Sequence, residues 1–145
     1  MRQIIKESAV KLDFKAADWK EAITQAGELM VAEGVVEHRY IDAMISLVEG
    51  YGAYIIVAPG VAMPHARAED GAKGTGICFL RLKEPVMFPE QEENPVQILV
   101  GVAAANKAEH LETFGMVAEK IVDPECIKKL TLCATAAEVV RIFQN

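Results

Sequence analysis

The chain is short of positive charge: fifteen Lys and Arg stand against twenty-one Asp and Glu, a formal net charge of −6, and no basic stripe or Arg-rich run occurs. Nothing in it can track a phosphate backbone, which argues against a nucleic-acid partner. It also lacks any apolar run near the roughly 20 residues needed to cross a bilayer. Met1 to Glu7 carries no charged-then-apolar signal pattern, so the expected location is the cytoplasm, without membrane insertion. Cysteine is scarce too. Cys78, Cys126 and Cys133 are odd in number and show no C-x-x-C spacing, so they are expected to be reduced packing residues rather than a disulfide frame or a zinc site. Aromatic residues make up only 6%, with one Trp.

What is present is ordinary for a globular domain, with 52% hydrophobic and 25% charged residues over 145 positions. A chain of this size buries about 68% of its unfolded surface on folding, so it needs neither disulfides nor a structural metal. One domain spanning residues 1–145 is expected, and no internal repeat or low-complexity segment interrupts it.

Val10, Leu12 and Phe14 alternate with charged residues, the pattern of a half-buried strand. Asp18 with Glu21 predicts the start of a helix whose apolar stripe runs through Ala22, Ile23, Ala26, Leu29 and Met30 to a stop at Gly34. A second helix is predicted from Arg39 to Glu49, ended by Gly50 and Gly52, with His38 and Tyr40 on the surface. Tyr54 to Val57 reads as a short strand before an Ala58-Pro59-Gly60 turn. Ile77 to Leu82 reads as a strand ended by Pro85, and Val96 to Ala105 as one buried on both faces, with Phe88 to Pro95 a loop between them. Asn106 with Glu109 then opens a helix with Leu111, Phe114, Ala118, Ile121 and Val122 inward. Asp123-Pro124 opens another, and Thr135 with Glu138 a last one carrying Val139, Val140 and Phe143. Four strands among five helical stretches point to an α/β or α+β fold with one sheet covered on its faces by helices.

The chemistry falls on few residues. Pro64 fixes its own φ and restricts Met63 to extended geometry, so His65 is presented from a stiff backbone at the end of a strand region. On spacing alone it is equally well a surface histidine after a turn. His110 lies in the first turn of a predicted helix, where unpaired N–H groups and the positive dipole end favour an anion. By itself it is more simply a partly exposed helix residue, unless the fold sets it beside His65. Arg67 belongs to a solvated turn, Arg67 to Gly71, but can offer a fork of donors to an anion. Two histidines with Glu109 could hold a metal in principle. No metal is expected, because no H-E-x-x-H or other ligand spacing is present. No nucleotide-cradling glycine loop or G-x-S-x-G elbow occurs either.

The string Val57-Ala58-Pro59-Gly60-Val61-Ala62-Met63-Pro64-His65-Ala66-Arg67-Ala68-Glu69-Asp70-Gly71 resembles the active-site signature of enzyme IIA components of the bacterial phosphoenolpyruvate sugar phosphotransferase system, mannitol/fructose type. The Ala-Pro-Gly ahead of it, His65-Ala66-Arg67 and Asn106-Lys107-Ala108-Glu109-His110 are most similar to the ascorbate-type IIA proteins, and the likeness covers essentially the whole chain. The resemblance implies a mixed five-stranded sheet flanked by helices. It implies that His65 takes a phosphoryl group on Nε2 from the phosphohistidine of HPr and gives it to a cysteine of a IIB partner, with His110 the second active-site histidine. The membrane IIC component would be an indirect partner, and a homodimer is left open. Mannitol-type relatives carry an arginine where Glu49 stands here, and Arg67 is the candidate to replace its charge.

The chemistry agrees with that role. A neutral imidazole is nucleophilic near neutral pH, and its phosphoramidate is reactive enough to pass the group on. Alignment and charge compensation carry most of such a transfer, so no cofactor is required. Two other readings stand beside the transport carrier: a regulatory module whose phosphorylation state is sensed by a partner, and a small hydrolase using His65 and His110 as acid and base.

Overall fold

The computed structural model describes residues 5–52, 54–89 and 94–144. The reading of Met1 to Ile4 and the middle of the expected Phe88 to Pro95 loop lie outside them. The described elements are β1 (Val10–Phe14), α1 (Trp19–Ala32), α2 (Arg39–Tyr51), β2 (Ile56–Ala58), β3 (Val61–Ala62), β4 (Gly76–Val86), β5 (Val96–Ala103), α3 (Lys107–Ile121), α4 (Pro124–Leu132) and α5 (Ala136–Gln144).

Helix starts fall where side chains can satisfy the first free N–H groups. The Asp18 carboxylate accepts from Glu21 N at 2.9 Å, Asn106 Oδ1 from Glu109 N at 2.9 Å, and Asp123 from Glu125 N at 3.1 Å. The Thr135 hydroxyl accepts from Glu138 N at 3.3 Å. Gly34 (φ 76°) and Gly52 (φ 80°) follow the ends of α1 and α2 in left-handed conformations that cost glycine nothing. Gly50, expected as a stop, lies inside α2 instead.

The strands form one mixed sheet in the order β1-β4-β5-β3-β2. β1 is parallel to β4 and β3 to β5, while β4–β5 and β2–β3 are antiparallel. The fifth strand is β3, which at two residues is too short for alternation to reveal. Pro85 does not end β4. Pairing shifts register between Arg81 and Val86 and then resumes at Val86 opposite Val96, with Lys83, Glu84 and Pro85 exposed in the irregularity, where a residue without an N–H does no harm.

Helices cover both faces of the sheet, as alternate residues of β4 show. The Cys78 thiol donates to Ala26 O of α1 at 3.2 Å, whereas the next residue, Phe79, meets Phe143 of α5 edge to face at 6.1 Å. Gly101 of β5 sits opposite Cys78, and a Cβ there would fall 2.6 Å from Cys78 Sγ and 2.9 Å from Met30 Cε. Glycine at that point lets α1 lie close on the sheet. Burial pushes the Cys78 thiol up to about 12, so it packs rather than reacts. All three cysteines are free.

Two burial readings are corrected. Tyr40 is wholly buried, because its hydroxyl finds partners inside and the ring can follow it. Leu111 and Val122 are 66% and 59% exposed. Beside the expected Ile121, α3 buries Thr113 and Val117, and the polar Thr113 on that face breaks the apolar stripe that sequence periodicity reads.

Arg81 is also buried, on the Phe79 side of β4. Its Nη1 donates to the carbonyls of Leu130 (3.2 Å), Thr131 (3.2 Å) and Cys133 (2.6 Å), and its Nη2 to Asp13 Oδ1 at 3.2 Å. One guanidinium thereby satisfies the carbonyls left open at the end of α4 and ties that helix to the sheet.

Candidate active site

Strand direction brings the two histidines together. β3 and β5 are parallel neighbours, with Val61 opposite Ile98 and Ala62 opposite Leu99, so their carboxyl ends lie on the same side of the sheet. β3 leaves into Met63-Pro64-His65, and β5 leaves through Asn106 into α3, which carries His110 in its first turn. The His65 and His110 ring centroids are 5.6 Å apart. The antiparallel β2 begins at this same edge, which places Tyr54 just ahead of it edge to face with His65 at 5.7 Å. Phe114, one turn after His110, also stands edge to face with His65, at 5.1 Å.

The backbone around His65 is tightly held. Met63 N donates to Ile55 O at 2.8 Å, and Val102 N donates to Pro64 O at 3.0 Å. The His65 ring is half-buried, with Nδ1 2.7 Å from Met63 O. A carbonyl can only accept, so Nδ1 carries the proton and Nε2 keeps a free lone pair. Desolvation pulls the His65 pKa below its ordinary value; the Met63 carbonyl opposes this, and nearby His110 adds a little to it. The ring is therefore neutral at physiological pH.

A cleft of about 560 Å3 opens here, lined by Leu47, Tyr54, His65, Arg67, Lys107 and His110 among others. All three residues singled out from sequence border it. Arg67 is 71% exposed and its fork is engaged, Nε and Nη2 each 3.2 Å from an Asp70 carboxylate oxygen, with Glu69 at 3.7 Å. That contact holds the Asp70 carboxyl below its usual range. Lys107 and Tyr54, which sequence reading passed over, supply a cation and a phenol to the same cleft. Their only signal was adjacency: Lys107 stands within the motif that holds His110, and Tyr54 opens the strand before the turn. Among the described residues no group of three or more His, Cys, Asp or Glu side chains is placed to hold a metal ion.

A half-buried, neutral imidazole with a free Nε2, in an open cleft beside a second imidazole, is the equipment of histidine-based group transfer. The model of the family described as phosphoenolpyruvate-dependent sugar phosphotransferase system, EIIA 2, matches residues 3–145. The chain belongs to that family and is a phosphotransferase component of such a system. It is 37% identical over 143 residues to the ascorbate-specific PTS system EIIA component of Escherichia coli K12, covering 98% of this chain and 93% of that one. The mannitol-specific cryptic phosphotransferase enzyme IIA CmtB of Escherichia coli has the same fold, with a TM-score of 0.87, 30% identity and coverage of 97% and 95%. Enzyme IIA of the mannitol system, solved in complex with phosphorylated enzyme IIB from Escherichia coli, matches at a TM-score of 0.83 with 29% identity, over 97% and 96% of the two chains. The mixed five-stranded sheet expected from the resemblance is thus present. No helix among the described residues is long and apolar enough to cross a membrane.

Proposed function

We propose that residues 1–145 form one cytoplasmic enzyme IIA domain in which His65 takes a phosphoryl group from the phosphohistidine of HPr and hands it to a cysteine of a IIB partner. The observation that carries this reading is the 2.7 Å contact between His65 Nδ1 and Met63 O, which commits one nitrogen and frees the other. The Nε2 lone pair attacks phosphorus, the donor's P–N bond breaks, and the donor imidazole leaves with its electron pair. The proton stays on Nδ1 throughout, donated to the Met63 carbonyl. In the second step a IIB thiolate attacks phosphorus, and the P–N electrons return to Nε2. His110, Arg67 and the first N–H groups of α3 offset the charge on the phosphoryl oxygens. Arg67 does so by exchanging Asp70 for the phosphoryl group.

The relative named for ascorbate makes ascorbate, or a related sugar acid or polyol, the expected compound, held by the membrane IIC component rather than by this chain. It also favours transport over a sensing role.

The test is incubation with phosphoenolpyruvate, enzyme I and HPr. An acid-labile phosphate on His65 Nε2 that leaves when IIB is added is expected, and label that stays bound after IIB addition overturns the transport role. His110→Ala should still be labelled but about 10- to 100-fold more slowly, because it loses alignment and charge support but keeps the nucleophile. An unchanged rate removes His110 from the site. Arg67→Ala should slow transfer by about tenfold, less than a fully buried donor would, since Arg67 is exposed and must first leave Asp70.

The acceptor works only as neutral imidazole, and its folded pKa lies below the ordinary 6.5. The labelling rate should therefore fall to half only at a pH below 6.5, as Nε2 takes up a proton. A rate already halved at pH 7 in a stopped-flow pH series, with HPr and enzyme I kept saturating, contradicts this.

A further inference from the structure

The peptide units on both sides of His65 are tied to a single residue of β5. Ahead of it, Pro64 O accepts from Val102 N at 3.0 Å. Behind it, Ala66 N donates to the Tyr40 hydroxyl at 2.9 Å, and that oxygen lies 2.9 Å from Val102 O and 3.0 Å from Ala66 O. A phenol has one proton to give, so it serves one of these carbonyls at a time while accepting from the amide. The bonds close a ring from Pro64 through His65, Ala66 and the Tyr40 hydroxyl to Val102 and back.

We propose that Tyr40 is a positioning residue for phosphoryl transfer: its hydroxyl locks the His65 backbone to β5, so that Nε2 meets the incoming phosphorus from a fixed direction. The proposal rests on His65 being the acceptor. It explains why a tyrosine rather than a phenylalanine is wholly buried in α2, where a hydroxyl without partners would be costly. Burial pushes the Tyr40 phenol up to about 12, so it remains a protonated donor throughout the working range. The same lock acts on His110, because β5 continues past Val102 to Ala103 and, through the Asn106 cap, into α3. With the two ring centroids 5.6 Å apart, a backbone shift of about 1 Å at either end changes the approach to phosphorus, and displacements of that size cost up to about 100-fold in rate.

Tyr40→Phe removes one oxygen and leaves the ring. In the full chain, with phosphoenolpyruvate, enzyme I and HPr, kcat for labelling per folded molecule should fall by about tenfold, while the KM for phospho-HPr stays within about twofold. The His65 ring-nitrogen signals of 15N-labelled protein should move as the Nδ1 contact to Met63 loosens. A merely structural tyrosine lowers the melting temperature and nothing else. Unchanged kcat and unchanged His65 signals at 25 °C overturn the proposal. If Tyr40→Phe does not fold, 3-fluorotyrosine placed at position 40 keeps the ring and hydroxyl but alters the strength of its hydrogen bonds, and the same two readouts decide in the same way. Failure of the underlying reading looks different: the unmodified chain then carries no label on His65 at all.

Discussion

Replacing His65 by alanine is expected to reduce the phosphoenolpyruvate-dependent label to background and phosphoryl transfer by at least about a thousandfold, as loss of a covalent nucleophile does. His110 does not substitute, although its ring centroid is only 5.6 Å away. Among the described residues only His65 has Nδ1 tied to a backbone carbonyl, so only His65 presents Nε2 in a fixed tautomer and direction. His110 instead sits in the first turn of α3, on a different element from the Pro64-stiffened segment that aims His65. The ring of His65 is half-buried, so its removal costs about 1–2 kcal/mol of stability and leaves the fold in place. Circular dichroism on His65→Ala therefore separates lost chemistry from lost structure. Label persisting on folded His65→Ala would sink the assignment of the acceptor.

Arg81→Leu is expected to produce the largest loss of stability, about 3 kcal/mol, or about 10 °C in Tm for a chain of this length. Two partners compete for the credit, and exposure decides between them. Asp13 is 67% exposed in its side chain, and an ion pair open to solvent is worth about 0–1 kcal/mol. The carbonyls of Leu130 and Cys133 are bonded in buried surroundings, and leaving such acceptors open costs about 1–3 kcal/mol each. Asp13→Asn is therefore the control and should shift Tm by no more than about 3 °C; asparagine also tolerates the left-handed backbone at that position (φ 56°). A melting curve in which Asp13→Asn matches Arg81→Leu would move the stabilisation from the end of α4 to the ion pair. Phosphoryl labelling of folded Arg81→Leu should stay near the unmodified rate, because Arg81 meets α4 and not the cleft.

Helix starts were legible because their signals are local: Asp18, Asn106, Asp123 and Thr135 each cap within three residues of their own position. His65 was legible for the same reason, through Pro64 and its motif. The distance between His65 and His110 was not, since it depends on β3 running parallel to β5, a pairing between segments far apart in sequence. Tyr40 escaped because a helix stripe reads apolarity, whereas the partners that permit its burial, Ala66 and Val102, are fixed only by tertiary structure. Arg81 escaped likewise: charge in a strand reads as an edge or a surface, unless a helix end is known to stop above it.

Tyr54 and Phe114, both edge to face with the His65 imidazole, bear on how long a group held there would last. A phosphohistidine left alone decays by hydrolysis, at a pace governed by how many directions admit water to phosphorus. Two aromatic rings packed against the imidazole narrow those directions. Under the role proposed for His65, these hydrocarbon neighbours, which take no part in the bond-making, slow the loss of the group between encounters.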